Sequence, residues 1–169
     1  MNKKQISIVL LIVVSLFSCG DDLTFNNPAV QGNKDSELWR AISYAADIDF
    51  GGFLIEGGNG VETVQLVTLD DRAGVYPLGN GTMSRALFRD QQGVLFSTEF
   101  VADPSLSLYP ATGEIIVESV SNTDPKTVTG TYWFQAYSED GMKTVSFNEG
   151  VFYQVPLVGG LLAMDLENQ

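Results

Sequence analysis

The sequence contains no histidine and a single cysteine, and its 9 Lys and Arg are outnumbered by 21 Asp and Glu. Without histidine, a serine triad, a Cys–His dyad and a histidine metal site each lack a member. One cysteine closes no internal disulfide and builds no thiolate zinc site. A formal net charge of −12 argues against nucleic acid as a partner, because affinity for phosphate backbones comes from Lys and Arg. The same charge gives no attraction to anionic lipid. No Gly-Lys-Ser/Thr phosphate loop and no Asp-Thr/Ser-Gly protease triplet occurs. Gly58-Asn59-Gly60 fails the dinucleotide pattern at its third glycine and opens no helix. These absences point away from an enzyme, and no cofactor or metal is implied.

Long apolar runs are scarce too. The main one, Ile6 to Phe17, follows a basic start at Lys3-Lys4 and leads into Ser18-Cys19. It falls short of the roughly 20 residues that a membrane-spanning helix needs. A basic start, a short apolar core and a small residue before the cut are the parts of a secretory signal. Leu16-Phe17-Ser18-Cys19 resembles the bacterial lipoprotein box. The resemblance implies cleavage before Cys19, acylation of its thiol and of the new amino terminus, and anchoring in membrane lipid. Two or three acyl chains anchor stably where one does not. Gly20 follows the cysteine in place of an aspartate, and Asp21-Asp22 resembles the acidic export signal of certain Gram-negative surface lipoproteins. The implied location is the cell envelope, lipid-anchored at the outer membrane, with the face of that membrane left open.

Residues 1–18 are thus expected to be signal, 19–36 an acylated cysteine with a flexible acidic tether, 37–157 a globular domain, and 158–169 a tail or edge element. The domain's periodicity is that of strands: short runs rich in Val, Ile, Thr, Phe and Tyr, separated by Gly, Asn, Asp and Pro. They fall at 38–46, 52–56, 62–69, 84–89, 94–101, 114–120, 126–138, 143–147 and 151–156. Asp140-Gly141 predicts a hairpin, and Gly57-Gly58-Asn59-Gly60 and Gly79-Asn80-Gly81 predict tight turns. Leu161–Met164 reads as a short helix or a further strand. Eight or nine antiparallel strands in roughly 120 residues manage their edges as a sandwich or a small barrel. The fold class is all-β.

Trp39-Arg40-Ala41, Gly113-Glu114-Ile115-Ile116-Val117, Thr129-Gly130-Thr131-Tyr132-Trp133-Phe134 and Glu149-Gly150-Val151-Phe152 together resemble a family of small, uncharacterised Gram-negative lipoproteins classed under a domain of unknown function. The resemblance implies a compact β domain behind a lipid anchor and supplies no activity.

Within 126–138, alternation puts Val128, Gly130, Tyr132, Phe134 and Ala136 on a core face. Thr127, Thr129, Thr131, Trp133, Gln135 and Tyr137 share the other. Trp133 and Tyr137 lie about 13 Å apart along that strand, and their rings are candidates for a surface that meets an envelope protein or stacks on a glycan. The competing reading buries both. Arg85 and Arg89 share a face and suit a carboxylate or phosphate, or serve to solubilise an edge. Asp47, Asp49, Asp70 and Asp71 lack the calcium-loop pattern and read as solvated turns. Glu56, Glu99, Glu114 and Glu118 are the carboxylates from which a two-acid hydrolase would have to draw. A non-enzymatic binding or structural domain is the favoured reading. The alternatives are a small β-barrel carrying an apolar ligand and, behind it, the hydrolase.

Overall fold

The computed structural model describes residues 29–48, 51–106 and 109–165; Cys19, Asp21, Asp22 and Asp49 lie outside them. Eleven strands follow one another in the chain: β1 (Ala29–Lys34), β2 (Glu37–Arg40), β3 (Ser43–Asp47), β4 (Leu54–Gly58), β5 (Thr63–Val67), β6 (Gly74–Gly79), β7 (Arg85–Arg89), β8 (Leu95–Ser97), β9 (Thr112–Ser121), β10 (Thr127–Ser138) and β11 (Thr144–Pro156). No helix occurs among the described residues. The strands form one antiparallel sheet, ordered β2-β1-β11-β10-β8-β7-β5-β4-β3.

β10 is where the sheet divides. One edge of it pairs with β11 along its length. The other pairs with β9 over Thr127–Gln135 and then with β8 at Tyr137 and Ser138. β9 carries β6 on its far side, making a two-stranded wing. The β8 branch curls until Ala46 of β3 bridges Leu157, just beyond β11, with Val158 N donating to Ala46 O at 2.9 Å. The curl makes the sheet a half-barrel.

Alternation explains the filling. Val128, Gly130, Tyr132, Phe134 and Ala136 of β10 all point into the core. Phe147 is the centre of an aromatic cluster, stacked on Phe134 at 5.0 Å, tilted to Phe88 at 5.4 Å and edge-on to Trp39 at 5.7 Å. Each such pair adds about 0.5–1.5 kcal/mol beyond area burial. Gly130 is required by close approach: a Cβ there would lie 1.9 Å from the Ile116 carbonyl oxygen and 2.4 Å from the Phe152 ring. At one end of the curl Glu62 ties β1, β2 and the β4–β5 turn together. Its carboxylate takes Lys34 Nζ at 2.5 Å, Trp39 Nε1 at 2.9 Å and Asn59 Nδ2 at 3.0 Å.

Several expectations need correction. β1 occupies part of the expected 19–36 tether, with Val30 buried in the core; its Gly32 and Asn33 disguise the alternation. β6 carries little strand signal in the sequence, because Pro77 and two glycines occupy a strand whose outer edge can do without a donor. The run 38–46 is two strands, broken where Ala41 N donates to Val30 O. The runs 143–147 and 151–156 are one strand, β11, interrupted by a bulge, and 94–101 shrinks to β8. Leu161–Met164 is neither helix nor strand.

Tyr132 reaches across Gly150, and its hydroxyl is buried without a partner. Burial pushes this phenol above its ordinary value of 10.0. Above about pH 10 the unfolded chain therefore binds fewer protons than the folded one, and stability falls as pH rises. Tyr132→Phe removes an unsatisfied buried group and is expected to stabilise the domain by about 1 kcal/mol at neutral pH. In urea denaturation its advantage over the parent should widen above about pH 10; a constant gap would contradict the assignment.

Candidate functional site

The outer face of β9, β10 and β11 carries the site. Trp133 is on it, 43% exposed. Tyr137 is not. It is fully buried, its hydroxyl donating to the Tyr109 carbonyl and accepting from Gln135 Nε2 at 3.2 Å. By Tyr137, β10 has passed from β9 to β8, and the segment before β9 crosses over it. The two rings therefore do not form one platform.

Register defines what surrounds Trp133. Glu114 stands opposite it on β9. On the other side, pairing with β11 shifts between Tyr132↔Gly150 and Phe134↔Phe147, so Asn148 and Glu149 together oppose Trp133. This is a β-bulge, a device that re-aims side chains. Glu149 takes φ of +50°, and its carboxylate accepts from Asn33 Nδ2 at 2.7 Å. Gly150 is obligatory here: a Cβ would lie 2.5 Å from the Tyr132 carbonyl and 2.6 Å from its ring. Beside the bulge the face opens into a groove of about 300 Å³ lined by Glu114, Ile116, Thr131, Trp133, Glu149 and Val151. Ile116 and Val151 flank Thr131 on its two neighbouring strands. The same row continues to the exposed Val75 on β6 and to Gln31 and Arg40 on β1 and β2. Six strands thus present one face roughly 24 Å wide at about 4.8 Å per strand.

The other candidate residues serve the opposite branch. Residues 158–165 run as a strap over the outside of β3, β4, β5 and β7. Asp47 is buried rather than solvated, its carboxylate accepting from Ile48 N at 2.6 Å and Leu161 N at 2.9 Å. Gln65 donates to Glu56 and to Leu162 O and accepts from Met164 N. Arg85 does find a carboxylate, that of Asp165 in its own chain, with Nε 2.8 Å from Oδ2 and Nη2 donating to Oδ1 at 3.3 Å; Glu99 is 3.6 Å away. Arg89 Nη2 donates to Met164 O at 3.4 Å. The arginine pair therefore holds the strap instead of solubilising an edge. Asp70 is paired with Arg72 at 3.6 Å, and Asp71 is exposed. Glu114 and Glu118 are two alternations apart on β9, about 13 Å along the strand. Among the described residues, no three His, Cys, Asp or Glu side chains gather as a metal site.

Residues 26–156 match a family described only as a domain of unknown function, DUF6252. The chain belongs to that family. No curated protein and no solved structure gives a significant match. The matched span takes in all eleven strands, from just before β1 to the last residue of β11, and so includes the bulge and Trp133. The strap follows it.

Under the strap lie Leu54, Val67 and Leu87, buried on the outside of the sheet together with the strap's own Ala163 and Met164. Uncovering them forfeits about 1.5–3 kcal/mol for each side chain fully exposed. Truncation after Leu157 should lower the urea midpoint markedly without changing the far-ultraviolet signal of the sheet; an unchanged midpoint would show that the strap contributes nothing.

Proposed function

We propose that this DUF6252 protein is a lipid-anchored, non-enzymatic binding domain of the cell envelope, held by acylated Cys19 and meeting an envelope protein or glycan through the Trp133 face. The observation that carries the reading is the exposed indole in a groove beside the β-bulge at Asn148 and Glu149. Large aromatics are usually mostly buried, and interface hot spots are enriched in tryptophan. The domain holds its other tryptophan, Trp39, in the core. The half-barrel's interior is filled by Phe88, Phe134, Phe147 and Phe152, which favours a binding surface over an internal carrier. The acidic pair Asp21-Asp22 fits export to the outer leaflet of the outer membrane.

Two measurements test this. Metabolic labelling with a palmitate analogue should tag the parent and leave Cys19→Ala unlabelled; equal labelling of the two would refute the anchor. Trp133→Ala should keep the thermal midpoint within about 0.5 kcal/mol equivalent, as exposed substitutions do, and lose whatever partner the parent captures from an envelope extract. Capture unchanged by the substitution would refute the surface.

A further inference from the structure

The geometry points to an arginine side chain, displayed by a basic partner protein, as the group that enters the Trp133 groove. This inference rests on the reading of the Trp133 face as the binding surface and gives that surface its chemistry. A guanidinium is planar, stacks on an indole face and offers donors along its edges. Trp133 supplies the ring. Glu114 on β9 and Glu149 on β11 supply a carboxylate on each side, their backbones about 10 Å apart across β10 at the usual strand spacing. That span admits a guanidinium with an acceptor at either edge, and charge-assisted bonds of this kind are the strong ones. Ile116 and Val151 wall the groove where the aliphatic stem of an arginine would lie.

Charge supports the same occupant. Glu114 makes no hydrogen bond or ion pair among the described residues, and Glu149 is held by the neutral amide of Asn33. Three of the domain's own cations are paired elsewhere: Lys34 with Glu62, Arg72 with Asp70 and Arg85 with Asp165. Arg40 lies on this face but out at β2, bound to Gln31 Oε1 at 3.0 Å. The groove is therefore carboxylate-rich within a molecule of net charge −12, which steers a basic partner inward and turns anionic glycans away. The face is broad and open, as suits a protein surface more than a small molecule.

The test uses the mature full chain in detergent and two labelled peptides of equal length, one alternating Gly and Arg, the other Gly and citrulline. Fluorescence anisotropy should show saturable binding of the arginine peptide and binding about ten-fold or more weaker for citrulline, which keeps the shape and loses the charge. Trp133→Ala, and separately the pair Glu114→Gln and Glu149→Gln, should each weaken the arginine peptide by about ten-fold. Equal binding of the two peptides, or arginine binding untouched by Trp133→Ala, would overturn the proposal, the latter by revealing diffuse charge attraction. A neutral chitin hexasaccharide that binds through Trp133 while the arginine peptide does not would also overturn it, leaving the binding surface intact. If neither the probes nor envelope capture depends on Trp133, both readings fall together.

Discussion

The structure depends on β10 serving three neighbours at once. Its inner face must fill the core of a curled sheet while one edge changes partner from β9 to β8 part-way along. The first demand is sharpest at Gly130, where the backbone of β9 and the ring of Phe152 come too near for any side chain. The second is met between Gln135 and Tyr137, where β9 gives way to β8. The outward direction of Trp133 follows from the first, because inner and outer residues of a strand alternate without choice.

Much of this was legible in the residues. The alternation of β10 named its core face correctly, and Asp140-Gly141 gave the hairpin to β11, with Gly141 at φ of +70°. Trp133 stood out as an aromatic on a Thr-rich face. What stayed hidden has physical causes. Tyr137 has the same alternation as Trp133, and only a non-local crossing by the Tyr109 segment buries it. β1 and β6 are weak strands by composition and are held by long-range pairing. The bulge at Glu149 and Gly150 looked like a strand boundary, since glycine breaks a local pattern whether the chain turns there or merely bends. The arginine pair announced its preference for carboxylate, but that Asp165 of the same chain satisfies it is a tertiary fact.

Acid excess also has a pattern. With cations scarce, the domain spends Lys34 and Arg85 on partly buried carboxylates at the closed end of the curl and beneath the strap, where an unpaired charge costs most. The β6–β9 wing is left with carboxylates in water, where repulsion is cheap and screened. The division of charge between the two branches thus follows burial, and it makes the Trp133 face the negative side of its own neighbourhood.

The early start of β1 sets a length. On the proposed anchor at Cys19, about ten residues would separate the lipid from Ala29, a reach of at most about 35 Å if fully extended. β1 itself borders the Trp133 face, and Asn33, which holds Glu149, is roughly 13 Å further along that strand. Such an anchor would leash the groove to within about 50 Å of the bilayer surface. A partner would then be met only at the membrane, at an effective concentration fixed by the leash.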